Sequence, residues 1–143
     1  MTVGTILNAK GRDVLTVRPT QTLRDAVLML SQHGIGAILV TGGDQALLGI
    51  LSERDIVRAL AQGTGDILSE SVSAHMTSKV VTCTQTTSIA KVMELMTAGK
   101  FRHVPVVEAG ALVGIISIGD VVKKRLTDIE AEHSALRHYI ASA

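Results

Sequence analysis

Gly49-Ile50-Leu51-Ser52-Glu53-Arg54-Asp55 and Gly114-Ile115-Ile116-Ser117-Ile118-Gly119-Asp120 share one arrangement, a serine hydroxyl three residues ahead of a carboxylate where an apolar strand gives way to a helix. Free backbone N–H groups and the positive dipole end of the helix favour an anion at such a junction, and the hydroxyl adds a hydrogen bond. The carboxylate, one turn further in, accepts hydrogen bonds from the paired hydroxyls of a ribose, as acidic residues do in other nucleotide sites. Gly49 and Gly114 leave room for close approach of backbone or ligand. The same Ser-x-x-Asp spacing is also a capping box, which stabilises a helix and binds nothing. Two occurrences in register favour the ligand reading, but duplication copies caps as faithfully as binding residues.

Other chemistries find less support. His33, His75, His133 and His138 show no metal-ligand spacing with one another or with Cys83, so no metal site is expected. Neither Ser52 nor Ser117 sits in a Gly-x-Ser-x-Gly elbow, and no third partner completes a nucleophilic triad. Gly63-Thr64-Gly65 lacks a following Gly-Lys-Ser/Thr and reads as a linker, not a phosphate loop. Cys83, the single cysteine, reads as inert core and fits a reducing compartment. A formal net charge of +1 gives no broad reason to expect nucleic acid or an anionic membrane as partner. With no apolar segment of spanning length and no signal-like N-terminus, the expected location is the cytoplasm.

The elements that must position these residues follow from an internal repeat. Leu15-Thr16-Val17 lies over Val81-Thr82-Cys83, and at the same offset Leu23 falls on Ile89, Ala26 on Val92, Leu30 on Met96 and Val40 on Val106. Val3 and Leu7 match Val72 and Met76 once Gly11-Arg12-Asp13 is taken as an insertion. The copies span residues 1–62 and 72–143, joined by a linker at 63–71. Each reads as strand, helix, strand, strand, helix. Gly34 is the expected C-cap of the first helix, Thr41 to Asp44 the expected hairpin turn, and Ile56, Val57 and Leu60 the expected inward face of the next helix. A repeat this small buries too little surface alone, so the two should pack face to face as a pseudo-twofold α/β domain with clefts between them. The 46% hydrophobic content suffices for a core even though Phe101 and Tyr139 are the only aromatics.

The repeat, the twin Gly-x-x-Ser-x-x-Asp segments and Phe101-Arg102-His103-Val104-Pro105-Val106-Val107 together resemble a cystathionine-β-synthase-type (CBS) domain pair over nearly the whole chain. The resemblance implies two β-α-β-β-α repeats, a homodimer, and an adenosine ligand whose occupancy regulates an unidentified partner protein. AMP is the leading candidate, with ADP, ATP and NAD(H) as alternatives and no catalytic cofactor. Carried onto the second copy, it implies that Asp120 holds the ribose hydroxyls, Ser117 faces ribose or phosphate, and Gly119 leaves room. Arg102 and His103 supply charge to phosphate, while Ile115, Val104, Thr5 and Val14 form an apolar slot for adenine. The first-copy set is Asp55, Ser52, Arg54 and Ile50, with Val80 and Val81 as the wall from the other repeat. The first copy carries Gly36-Ala37-Ile38-Leu39 in place of Arg102-His103-Val104-Pro105, so the second site is expected to be the better mononucleotide site.

From Asp120 to Ile140 the chain has no Gly or Pro, and Val122, Leu126, Ile129, His133, Leu136 and Ile140 alternate by four and three. This face either packs on the chain's own N-terminal segment or meets a helix of a second subunit, where a protonated His133 would weaken the seam. A regulatory nucleotide sensor is the leading function. The alternative is a structural dimerisation or interaction module with no nucleotide. An enzyme, such as a nucleotide hydrolase, would need a general base and usually a metal cluster, for which no residues are identifiable.

Overall fold

The computed structural model describes residues 1–142. The first half runs α1 (Val3–Lys10), β1 (Thr16–Val17), α2 (Leu23–His33), β2 (Ala37–Thr41), β3 (Leu47–Ser52) and α3 (Glu53–Gln62). Single 3-10 turns at Ile67–Ser69 and Val72–Ala74 lead into α4 (Ile89–Gly99), β4 (His103–Glu108), β5 (Ala111–Ser117) and α5 (Ile118–Ser142). Short apolar runs bounded by turn residues form the strands, and period-3.6 stripes form the helices. Thr22, Ser52 and Ser88 cap α2, α3 and α4, each accepting from a backbone N–H three residues on. Gly34 ends α2 in the left-handed conformation, as its position in the sequence predicts.

The sheets differ between halves. In the first, β1 runs parallel to β2, and β2 antiparallel to β3. In the second, β4 and β5 form a hairpin, and the expected strand at 81–83 shrinks to a single parallel bridge from Cys83 to Val106. Pro105 stands where the first copy has Leu39, the residue paired with Thr16, and offers no N–H to the ladder. The backbone bonds that remain are Cys83 N–H to the Pro105 carbonyl, 3.0 Å, and Val107 N–H to the Cys83 carbonyl, 2.9 Å.

Two hydrophobic cores form, and each takes in the segment that precedes the other copy. Val17, Leu23, Ala26, Leu30, Ile38, Val40, Leu51, Ile56 and Ala59 pack with Ile67 and Val72. Val3, Ile6 and Leu7 pack with Ile89, Val92, Met96, Val104, Val106, Ile116 and Val121. Backbone bonds clamp the exchange symmetrically: Val3 N–H donates to the Thr87 carbonyl at 2.9 Å, and Val72 N–H to the Gln21 carbonyl at 2.7 Å. This is how repeats too small to fold alone share their apolar surface. Ile56 and Ala59 of α3 face inward, but Val57 and Leu60 face outward at 65% and 52% exposure, so only part of the expected inward face is buried.

Gly49 and Gly114 serve this exchange. A Cβ on Gly49 would lie 2.8 Å from the Thr77 carbonyl oxygen and 2.7 Å from Met76 Sδ; one on Gly114 would lie 2.8 Å from Leu7 Cδ2. Of the two occupants that these glycines allow, backbone or ligand, the crossing segments are the ones that come close. Gly49→Ala should cost about 1–3 kcal/mol through overpacking, because a backbone carbonyl has little freedom to retreat. Urea unfolding would measure it, with Gly114→Ala milder since Leu7 can change rotamer.

Candidate functional site

Both Ser-x-x-Asp segments are capping boxes; what distinguishes them is which carboxylate oxygens remain unused. Asp55, 6% exposed, has none to spare. Its Oδ2 accepts from Ser52 N–H at 2.9 Å and Ser52 Oγ–H at 3.1 Å, and its Oδ1 accepts from Arg58 at 3.3 Å and Thr77 Oγ–H at 3.2 Å. Asp120 Oδ2 accepts from Ser117 N–H at 2.8 Å and from the Lys10 ammonium at 2.7 Å, while Asp120 N–H donates to Ser117 Oγ at 3.1 Å. Asp120 Oδ1 has no hydrogen-bond partner among the described residues.

The backbone around each carboxylate makes the same distinction. Ile50 exchanges both of its backbone hydrogen bonds with Thr77, at 2.9 Å each, so the edge of β3 is sealed by the segment that crosses over it. The equivalent edge at Ile115 meets α1, a closed helix with no backbone to pair. There the Ile115 carbonyl accepts from the Lys10 side chain, at 2.9 Å. A cleft of about 360 Å³ remains at this junction, walled by Lys10, Asp13–Leu15 and Gly34–Ala37 of the first half and by His103, Ile115 and Ser117 of the second. It falls within the range of small-molecule sites, roughly 300–1,000 Å³. A smaller pocket of about 180 Å³ adjoins it, sharing Gly36 and His103 and adding Ser52, Glu53, Arg54, Lys100, Phe101 and Arg102. Arg54 donates to the Lys100 carbonyl at 3.1 Å.

Of the second-copy residues singled out from sequence, Ser117, Ile115, His103 and Val14 wall this cleft. Asp120 is bonded to two residues of its wall, and Arg102 lies in the adjoining pocket. Gly119 leaves open space, since a Cβ placed on it would meet only Ser117 Oγ, at 3.6 Å. Two of the residues lie outside this cleft. Val104 is fully buried in the second core, because strand alternation turns it away once His103 faces the cleft. Thr5 lies with Lys10 and Asp120 in a separate groove between α1 and α5 that Lys123 and Lys124 edge. In the first copy, Ser52 and Arg54 reach the adjoining pocket, but Asp55 and Ile50 are engaged as described, Val80 is half-buried and Val81 is 40% exposed. Sequence reasoning missed Lys10, whose one signal is its place directly before the three-residue insertion that distinguishes the copies.

Electrostatics assign distinct tasks. Burial pushes the Asp120 carboxyl up, but hydrogen bonds from Lys10 and Ser117 and the lysine's charge outweigh it and hold the group below its ordinary value. Burial lowers the His103 imidazole, with Lys10 and Arg102 adding to the effect and Asp120 and Glu53 opposing it. His103 is therefore uncharged at neutral pH and offers a hydrogen bond, while Arg102 carries permanent charge. The unfolded chain takes up the His103 proton first, so stability falls as acidification passes through the ordinary imidazole range near pH 6.5. His103→Gln should flatten that part of a melting-temperature profile between pH 8 and 5. Burial and then Glu108 push the Cys83 thiol up to about 11, so it stays protonated in the core.

Comparison with known proteins agrees with this construction. The CBS domain family model matches twice, at residues 6–62 and 70–127. The CBS domain-containing protein CBSX3, mitochondrial, of Arabidopsis thaliana is 34% identical over 97% of this chain and 71% of its own length. The crystal structure of the CBS-domain containing protein ATU1752 from Agrobacterium tumefaciens is 50% identical, with a TM-score of 0.84 over 87% of this chain and 99% of that one. The CBS domain protein PAE2072 from Pyrobaculum aerophilum, solved complexed with AMP, is 29% identical, with a TM-score of 0.75 over 84% of this chain and 89% of that one. No helix among the described residues is long and apolar enough to cross a membrane. Two repeats in register, cores that exchange their leading segments and a double match to one family model agree: this chain belongs to the CBS domain family, as a tandem pair of its repeats.

Proposed function

We propose that the protein is a regulatory module that binds one phosphorylated adenosine, AMP foremost, in the cleft beside Asp120, and acts on a partner protein through that occupancy. The observation that carries this reading is the Asp120 carboxylate, its Oδ1 without a hydrogen-bond partner among the described residues, bonded through Oδ2 to Lys10 and Ser117 of the cleft wall. Ile115 and Val14 offer a slot for adenine, Asp120 accepts from ribose, and Arg102 and His103 lie toward the phosphate. The AMP complex of PAE2072 supports the choice of ligand. At Asp55 the same chemistry is absorbed in holding the fold, so one site per chain is expected. Cytoplasmic residence and a role without catalysis belong to this same reading.

Thermal shift with AMP, ADP, ATP, NAD(H) and S-adenosylmethionine tests it. A ligand at a hundred times its dissociation constant should add about 2.7 kcal/mol of stability. AMP should give the largest shift. No shift from any of them at millimolar concentration would leave the structural interaction module as the function.

The assembly we propose is a homodimer built on α5. Only Val121 of this 25-residue helix is buried, and Val122, Leu126, Ile129, Leu136 and Ile140 are 41–65% exposed, so the chain's own N-terminal segment does not cover the stripe. A projecting helix of this kind is marginal without a partner. Truncation after Leu126 should convert the dimer to a monomer in light scattering; an unchanged mass would overturn this interface.

A further inference from the structure

We propose that Lys10 makes this site select phosphorylated adenosine ligands over uncharged ones, by occupying Asp120 until an anion draws its ammonium away. The inference rests on the nucleotide reading above and concerns how that site chooses among ligands. Lys10 Nζ lies 2.7 Å from Asp120 Oδ2 and donates to the Ile115 carbonyl at 2.9 Å. It thus covers Oδ2, the second oxygen that a pair of ribose hydroxyls needs beside the free Oδ1, and a backbone acceptor at the end of the adenine slot. The Lys10 and Asp120 side chains are 33% and 22% exposed, so neither is sealed in and the pair can part.

The discrimination follows from what replaces the pair. An uncharged nucleoside whose paired ribose hydroxyls take both oxygens of Asp120 displaces the ammonium from Oδ2 and gives it no new partner, so a charge-assisted hydrogen bond is lost. A phosphorylated nucleoside takes the same carboxylate and brings an anion for the freed ammonium. Lysine suits the exchange because its head is a compact charge on a flexible four-carbon stem, which can swing while the backbone stays. The backbone there is held: Lys10 is the last residue of α1, and Arg12 just beyond it donates to Asn8 Oδ1 at 2.7 Å and Gln85 Oε1 at 2.8 Å. The first half lacks the device. Lys79, at the equivalent position of the repeat, makes no hydrogen bond or ion pair among the described residues, and Asp55 is engaged by Arg58 and Thr77 instead.

Isothermal titration of the wild type and Lys10→Gln with AMP and with adenosine, alongside carbon-detected NMR titration of the ligand-free Asp120 carboxyl, tests the proposal. The variant should bind adenosine about fivefold tighter and AMP about tenfold weaker, collapsing the ratio of the two affinities. The Asp120 carboxyl should titrate at higher pH once Lys10 is gone. Equal weakening of both ligands would mean that Lys10 only supports the cleft, and an unchanged ratio would mean that it does not discriminate; either overturns the proposal while leaving the nucleotide reading intact. A wild type that binds neither ligand overturns the nucleotide reading and this one with it. An Asp120 titration unmoved in the variant overturns the ion pair itself, whatever the ligands do.

Discussion

Asp55→Ala should cost the protein about 2–3 kcal/mol of stability, a helix cap of roughly 1 kcal/mol plus a buried hydrogen-bond network. Asp55 is buried and accepts four hydrogen bonds, from Ser52 twice, Arg58 and Thr77, so alanine leaves donors from three elements without their acceptor. The Arg58 side chain is 56% exposed and can turn to water, which keeps the cost below that of breaking a sealed ion pair. For a chain of this size the change corresponds to a fall in melting temperature of roughly 10 °C. Asp120→Ala should reverse the pattern. It removes a comparable cap, so the loss of stability should stay near 1 kcal/mol, but AMP affinity should fall by about 10- to 100-fold with the loss of a charged acceptor for ribose. Differential scanning calorimetry and titration calorimetry on the two variants measure both quantities. If Asp55→Ala weakened AMP binding more than Asp120→Ala, the ligand would belong at the first-copy carboxylate.

Arg102→Ala should weaken AMP binding about 10- to 100-fold, the equivalent of one charge-assisted contact of roughly 1.5–3 kcal/mol, while leaving the melting temperature of the free protein nearly unchanged. The Arg102 side chain is exposed and makes no hydrogen bond or ion pair among the described residues, so its charge is uncommitted before ligand arrives. Arg54 lines the same pocket but already donates to the Lys100 carbonyl at 3.1 Å. Arg54→Ala should therefore have the smaller effect on AMP. Titration calorimetry showing the reverse order would place the phosphate nearer the start of α3 than β4.

The fold was legible because its determinants are local and occur twice. Apolar positions of one copy found their counterparts in the other at a fixed offset, and glycine and serine at the ends of helices marked where each stops and starts. The loss of the expected strand at 81–83 has a local cause as well, since Pro105 lacks the N–H that Leu39 has. The face of α3 was harder to read, because helical spacing gives a stripe but not its width. Val57 and Leu60 stay outside because the core seats only Ile56 and Ala59.

The candidate site divides along the same line. Sequence alone determined the two Ser-x-x-Asp junctions, the basic pair at Arg102 and His103 that only the second copy carries, and hence an inequality between the halves. Which carboxylate keeps an oxygen free was decided by the tertiary structure. The segment ahead of each copy crosses to the other, and it arrives as a helix at β5 but as extended backbone at β3. Thr77 thereby closes over Asp55, while at Asp120 only the Lys10 side chain reaches across and a cleft stays open. A contact between residues 110 positions apart leaves no periodicity for sequence to show. It arises only when two small repeats, each short of buried surface, complete one another's cores.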